Sequence, residues 1–306
     1  MANLIVEINR VNYVRVGFGE AEIRQEAFKA LEQTFDENGN LLKEIRFTPD
    51  GEVEETTESV FENGRQTSTS IFDGTGELIM KTDNVYEGDR LLKQVKTYGY
   101  GSGEEIVHEE IVQMEYEDER LYREVVCDDE GERLQKEYGY DGRFCMEMKE
   151  YNEDGELTFH YHYTYDASGR LVQVVRDEVL AKDRRTFVYA YDEAGNRAKE
   201  LVYNYKEELI AKKYIRFDEQ KRILEEEVED LDHYVKNVYE YDGDLLKKIS
   251  VENKDSEVQS WTEMDYDEEQ RLLNSAQYIT DEVDPGKYRL LSEENRSYGT
   301  ESSTGK

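Results

Sequence analysis

Pairs of tyrosines two residues apart are the side chains best spaced in this sequence to build a binding surface. Side chains alternate between the two faces of a β-strand, so both members of a pair point to the same face. Stacked across strands, such rings either form aromatic ladders within the fold or present a surface that stacks on sugar rings or grips a protein. The pairs are Tyr98/Tyr100, Tyr138/Tyr140, Tyr163/Tyr165, Tyr189/Tyr191, Tyr203/Tyr205 and Tyr239/Tyr241. The residues with a predicted binding role are Tyr161, Tyr163, Tyr189, Tyr203 and Tyr239.

Other reactive side chains do not form a recognisable site. His160 and His162 share a predicted strand face, a spacing that suits a metal ion, but no third ligand is identified. Acidic turns such as residues 36–40 lack the full ligand series of a calcium loop. The sequence has no phosphate-binding glycine loop, nucleophile elbow or zinc-type Cys/His spacing. We therefore expect no catalytic residue, no metal and no cofactor, and a protein that is not an enzyme.

The stretch from Tyr161 to Val175 shows which elements would carry these tyrosines. Alternating residues lead into a turn that ends at Gly169, and a second run rich in Val follows. Turn signals of this kind recur along most of the chain, mostly 11 to 14 residues apart. A strand of about eight residues plus a short turn fills that interval, whereas a helical crossover does not. The spacing predicts stacked β-hairpins.

Two turn chemistries recur. Short turns carry Asn-Gly or Asp-Gly, which suit two-residue hairpins. In the longer turns Asp166 and Asp192 can bond the turn backbone, and a glycine takes the left-handed conformation, which predicts φ > 0. The glycines concerned are Gly39, Gly155, Gly169 and Gly195. Later copies, such as Phe217–Lys221 and Tyr266–Gln270, lack the glycine, and we expect them to be looser or built differently.

These signals predict an all-β fold. We expect an antiparallel β-hairpin meander of about 20 strands, rolled into a spiral, barrel-like or two-layered sheet. Residues 1–34 hold N-terminal strands and, where Ile23, Ala27, Phe28 and Leu31 have helical spacing, a short helix. Residues 35–286 form the repeat domain, and the polar residues 287–306 form a disordered tail.

Composition limits the partners. The formal charge is −34, from 73 acidic and 39 basic residues. Such a charge opposes binding to nucleic acid or to an anionic membrane and favours a basic protein. Two cysteines, Cys127 and Cys145, are too few for a disulfide framework. No signal peptide is visible, so the expected location is the cytoplasm, with a non-classical export route as the alternative.

The segment Tyr163-Thr-Tyr165-Asp166-Ala-Ser-Gly169-Arg170-Leu171 resembles the signature of the bacterial YD-repeat, or Rhs, family, Tyr-x-Tyr-Asp-x-x-Gly-Arg-Leu. Weaker matches begin at Tyr138, Tyr189 and Tyr239, and the likeness covers roughly residues 35–275. Members of that family are chains of β-hairpins that spiral into hollow shells, often around a toxin segment. The resemblance implies a small stand-alone relative, because the family's processing region is not recognisable around Asp284-Pro285-Gly286.

These observations together predict a non-enzymatic, protein-binding repeat module. Its most specific form is an acidic, immunity-like or shielding protein for a basic partner such as a toxin, an expectation that the resemblance contributes. Two alternatives stay open: a carbohydrate-binding module that uses exposed tyrosines, and a purely structural repeat scaffold. The oligomeric state does not follow from the sequence.

Overall fold

All regular structure in this protein is β. The computed structural model describes residues 3–16, 22–99, 108–281 and 287–300, and within them it contains 22 strands and no helix. Every strand pair for which a register is given is antiparallel, so the prediction of an antiparallel meander of about 20 strands is confirmed. No described helix is long and apolar enough to span a membrane.

The chain divides into two compact units. Unit 1 comprises residues 1–111 and 260–306, and unit 2 comprises residues 112–259. The strands of unit 1 are β1 (Leu4–Val16), β2 (Glu22–Phe35), β3 (Leu41–Phe47), β4 (Val53–Glu62), β5 (Arg65–Asp73), β6 (Leu78–Glu87), β7 (Arg90–Tyr98), β20 (Val258–Tyr266), β21 (Leu272–Thr280) and β22 (Tyr288–Thr300). Strand β8 (His108–Glu117) contains the boundary at residue 112, and β20, most of which lies in unit 1, contains the boundary at residue 260. The strands of unit 2 are β9 (Arg120–Asp128), β10 (Gly131–Asp141), β11 (Phe144–Tyr151), β12 (Leu157–Tyr165), β13 (Leu171–Glu178), β14 (Asp183–Tyr191), β15 (Arg197–Tyr203), β16 (Leu209–Phe217), β17 (Ile223–Asp230), β18 (Tyr234–Asp242) and β19 (Leu245–Glu252).

Unit 1 joins the two ends of the chain in one sheet. Strands β1 to β7 pair in sequence order, and so do β20, β21 and β22. The two runs meet where β1 pairs with β22, with Leu4 opposite Thr300 and Asn12 opposite Ser292. The sheet order is therefore β7 to β1 followed by β22, β21 and β20.

Unit 2 is an uninterrupted meander. Each strand from β9 to β19 pairs with its neighbour in sequence. The register shifts by one residue next to several turns, as between Thr164 and Tyr165 in the β12–β13 pair. Such bulges place the last strand residue over the turn and increase the local twist.

Little apolar surface is fully buried in either unit. Among the described residues, the buried apolar side chains are Val6, Ile8, Val112, Val126, Val174 and Ala276. Most other strand residues are half-buried.

Two sequence predictions for the chain ends are wrong. The predicted helix near residues 21–34 is strand β2, which pairs with β1 on one side and β3 on the other. Backbone pairing on both edges outweighs the weak helical preference of this segment. The predicted disordered tail contains β22, whose Glu293 lies between Val11 of β1 and Ala276 of β21. Residues 301–306 and the Asp284-Pro285-Gly286 segment lie outside the described residues.

Candidate functional site

The turn between β12 and β13 shows why the YD signature has its sequence. Asp166 Oδ1 accepts hydrogen bonds from the backbone N–H groups of Ser168 and Arg170, each at 2.9 Å. Its Oδ2 accepts a third bond from Arg170 Nε at 2.8 Å. These bonds, above all the one from the Arg170 backbone, hold the pKa of Asp166 below its usual range. Gly169 has φ +81°, the left-handed conformation that glycine adopts without strain.

The same closure recurs around the chain. An Asp or Asn side chain accepts a bond from the backbone N–H four residues later in the pairs Asp36–Asn40, Asp73–Glu77, Asn152–Glu156, Asp192–Asn196, Asn204–Glu208, Asp218–Arg222, Asn253–Glu257 and Asp267–Arg271. The predicted positive φ is confirmed at Gly39 (+81°), Gly155 (+76°) and Gly195 (+83°), as it is at Gly169.

Turns that lack the glycine keep this geometry, so the expectation of looser or different turns is wrong. Lys221 has φ +65° and Gln270 has φ +64° at the equivalent positions. Their backbone N–H groups donate to the carbonyls of Asp218 and Asp267 at 3.1 and 3.0 Å. The Asp side chains hold these turns closed, and a residue with a Cβ accepts the left-handed conformation at a cost of about 1–2 kcal/mol.

The second tyrosine of several pairs joins one hairpin to the next. The guanidinium of Arg170 lies over the ring of Tyr191, 4.6 Å from its centroid. The Tyr191 hydroxyl donates to the carbonyl of Leu171 at 2.8 Å. The same arrangement links Arg222, Tyr241 and Ile223, and also Arg271, Tyr298 and Leu272. In the first two cases the turn is bound to the tyrosine near the end of the next hairpin's first strand, and in the third it is bound to Tyr298 in β22.

The tyrosines predicted to bind a ligand are half-buried: Tyr161, Tyr163, Tyr189, Tyr203 and Tyr239. The rings of Tyr161 and Tyr163 stack at 6.4 Å with 8° between their planes, and burial raises the pKa of Tyr163 to about 12. The Tyr239 hydroxyl donates to Glu226 at 3.3 Å. The half-burial of these rings fits an aromatic ladder within the fold. Their binding role stays a prediction.

The turns of unit 2 lie at two opposite ends of its strands, because consecutive strands are antiparallel. One end, which we call the YD rim, carries the turns at residues 141–143, 166–170, 192–196, 218–222 and 242–244. The other end carries three consecutive turns with exposed apolar residues at their tips, Leu180, Tyr205 and Leu231. We call this second set the apolar rim.

The apolar rim is the most exposed apolar group in unit 2. Leu180, Tyr205 and Leu231 retain 55%, 60% and 77% of their accessible surface. Their turns are two strands apart, which spaces them by roughly 10 Å. Leu209, at the start of β16, adds a further exposed side chain. The neighbouring turns at the same end, 152–156 and 253–257, have no apolar residue, so the group is bounded.

Charged side chains flank the apolar rim, and acidic ones outnumber basic ones there. Glu207 and Glu208 follow Tyr205 in its turn, and Asp232 follows Leu231. Lys206 lies over the Tyr205 ring, with Nζ 5.4 Å from the centroid. The alternating pattern of the strands does not reveal this group, because its members lie in turns. The available signal was Leu or Tyr at turn tips where the repeat elsewhere mostly places small or charged residues.

Comparisons with known proteins give distant structural similarities. No protein-family model and no curated protein matches the chain. The crystal structure of TcdB2-TccC3-TEV aligns with 81% of this chain at 14% identity and a TM-score of 0.34. The Photorhabdus luminescens Tc holotoxin pore aligns with 97% of this chain and 22% of its own at 10% identity and a TM-score of 0.39. A porin-like protein from Bacteroides uniformis aligns with 96% of both chains at 8% identity and a TM-score of 0.34. The chain spans only 15% of the TcdB2-TccC3-TEV chain, and at these TM-scores the similarities do not assign it to a family.

Proposed function

We propose that this chain is a non-enzymatic protein-binding repeat module whose apolar rim contacts a basic partner protein. The observation that carries the proposal is the exposure of Leu180, Tyr205 and Leu231 on three consecutive turns of one end of unit 2. Large apolar side chains grouped at a surface and rimmed by polar residues are typical of protein interaction sites. A basic protein such as a toxin is the partner we propose, with an immunity-like or shielding role.

Charge supports the choice of a basic partner. The chain carries a formal charge of −34, and acidic residues flank the apolar tips. Complementary charge accelerates encounter, while buried apolar and aromatic contacts set the lifetime of the complex. Raising the salt concentration should therefore slow association, because the screening length falls to about 10 Å at 0.1 M. Removing the apolar tips should instead speed dissociation.

The test compares the wild type with the triple variant Leu180→Ser/Tyr205→Ser/Leu231→Ser. The matched control is Ala167→Ser/Ala194→Ser/Gln220→Ser, which changes exposed tips on the YD rim. Proteins captured from the source organism by the wild type are purified, and their binding to all three chains is measured by surface plasmon resonance at low and moderate salt. We expect to recover a basic protein. It should dissociate at least about tenfold faster from the triple variant than from the wild type and the control.

A glycan array run beside this assay tests the carbohydrate alternative. If glycans bind saturably with an affinity independent of salt concentration, and no protein partner is recovered, the chain is a carbohydrate-binding module and the proposal is wrong. If a recovered protein dissociates equally fast from the wild type and the triple variant, the apolar rim is not its binding site.

A further inference from the structure

Strand pairing adds a third metal-ligating side chain to the two histidines of β12. Glu147 of β11 lies opposite His162, and Lys149 lies opposite His160. The two imidazole centroids are 4.0 Å apart, and His160 Nε2 is 3.0 Å from Glu147 Oε2. One potential ligand atom from each of Glu147, His160 and His162 lies within 4.8 Å of the other two.

The strand on the other side of β11 leaves room for the carboxylate. Gly139 of β10 pairs with Glu147. A Cβ at residue 139 would lie 2.6 Å from Glu147 Cγ and 2.9 Å from its Oε1. No real side chain tolerates such contacts, so a residue larger than glycine would displace Glu147. The glycine therefore permits the present position of the carboxylate beside His160.

The charged neighbours leave Glu147 available to a cation. Lys149 Nζ is 3.6 Å from Glu147 Oε1, but it also lies 3.8 Å from Glu137, which can accept it instead. Asp177 of β13 lies opposite His160 and is bound by Arg184, with Nε 2.5 Å from Oδ1. Asp177 is thus occupied, and the available set is two imidazoles and one carboxylate.

We propose that Glu147, His160 and His162 bind one divalent transition-metal ion of the zinc class. Imidazole nitrogens favour Zn²⁺, Cu²⁺ and Ni²⁺ over Mg²⁺ and Ca²⁺, which take oxygen ligands. Zinc bonds of about 2.0–2.1 Å in a tetrahedral arrangement place ligand atoms about 3.3 Å apart, which side-chain rotation reaches from the present positions. Three protein ligands leave the remaining coordination position to water or to another ligand.

The ion can reach this site from solvent. His162 is exposed, and Glu147 and His160 are half-buried. The site lies on strands β11 and β12 and shares no residue with the apolar rim, so this inference does not depend on the protein-binding proposal. It departs from the expectation of no metal because the β11–β12 register supplies Glu147, which lies 13 residues from His160 in the sequence.

Isothermal titration calorimetry of the full chain with ZnCl₂ tests the site. The variants are His160→Gln and His162→Gln, and the matched control is His233→Gln. His233 also lies beside a carboxylate, with Nδ1 3.3 Å from Asp230 Oδ1, but no second histidine belongs to that pair. We expect one saturable Zn²⁺ site in the wild type and the control, and at least about tenfold weaker binding in each of the other two variants.

Thermal unfolding supplies a second measurement. An ion that binds the folded state raises the Tm, so saturating ZnCl₂ should raise it in the wild type and not in His160→Gln. Circular dichroism without metal checks that each variant folds. Gly139→Ala should also weaken Zn²⁺ binding by displacing Glu147. Equal Zn²⁺ affinity in wild type, His160→Gln and His162→Gln, or no saturable binding in the wild type, would overturn the proposal.

Discussion

The two rims of unit 2 are built from the same strands but use their turns differently. On the YD rim, Asp166 binds Arg170, Arg170 covers Tyr191, and Tyr191 binds the carbonyl of Leu171. On the apolar rim, the turn at Asn204 is closed by the same side-chain bond to the residue four positions later, yet its tip carries Tyr205. The residues that match the repeat signature therefore connect hairpins, and the residues that depart from it face solvent.

This difference separates structural from exposed tyrosines. Tyr191 and Tyr241 belong to the Tyr-x-Tyr pairs and their hydroxyls bond backbone carbonyls. Tyr205 also belongs to such a pair, but it lies at a turn tip and is 60% exposed. Repetition in the sequence thus marks the scaffold, and a binding surface is better sought where the repeat is broken.

The largest expected effect is on the YD rim, at Gly169. Gly169→Ala forces an L-residue into φ +81° and places a Cβ 3.0 Å from Phe144 Cζ and 3.1 Å from Arg143 Nη2. We expect a loss of about 2 kcal/mol in the free energy of unfolding, measured by urea denaturation. The matched variant Gly195→Ala has φ +83° but no atom within 4 Å of its Cβ, so about 1 kcal/mol is expected. Equal losses would show that the contact with Phe144 is relieved at no cost.

The next effect concerns the bond from tyrosine to backbone. Tyr191→Phe keeps the ring beneath Arg170 and removes the hydroxyl that donates to Leu171. A loss of about 1 kcal/mol is expected, as for an ordinary intramolecular hydrogen bond. Tyr205→Phe on the apolar rim is the control and should unfold at the wild-type urea midpoint. If both variants lose stability equally, the proposed division between structural and exposed tyrosines is incorrect.

A smaller, pH-dependent effect is expected at Asp166. Its pKa is lowered in the folded state, so its contribution to stability is present above the unfolded value near 3.8 and disappears as the pH falls through the folded value. In Asp166→Asn the amide can close the turn as Asn152 and Asn204 do, but nothing titrates. The variant should therefore be less stable than wild type at pH 7, and the difference should shrink as the pH falls below 3.8, as measured by urea unfolding. If the difference in free energy of unfolding between variant and wild type persists at low pH, the loss of stability comes from a change in turn geometry and not from the charge of Asp166.

The smallest effect is expected on the apolar rim. Leu231→Ser and Leu180→Ser alter side chains that are mostly exposed, so each should change the free energy of unfolding by less than about 0.5 kcal/mol. Val126→Ala, at a position only 1% exposed, should cost about 2 kcal/mol in the same assay. A comparable loss in the leucine variants would mean that the rim supports the fold and is not free to bind a partner.

The sequence predicted features that depend on neighbouring residues. The positive φ of Gly169 follows from the four-residue turn around it, and the meander follows from turns at regular intervals. The sequence-based prediction was wrong for residues 22–35, where pairing with β1 and β3 selects a strand. It was also wrong for the turn at Lys221, where the hydrogen bonds of Asp218 impose a left-handed backbone conformation that a residue with a Cβ disfavours. Glu147 could not be joined to His160 and His162 because their contact depends on the β11–β12 register.

The pairing of β1 with β22 has a consequence for the order of assembly. Leu4 and Thr300 are paired in one ladder although nearly the whole chain separates them. Forming this pair therefore has a large entropic cost of loop closure. During synthesis, the strands of unit 2 can pair with neighbours already made, whereas the edge of β1 must wait until Tyr288–Thr300 has been translated. Until then β1 and β21 each present an unpaired row of backbone groups, which is the kind of edge that invites mispairing with another chain.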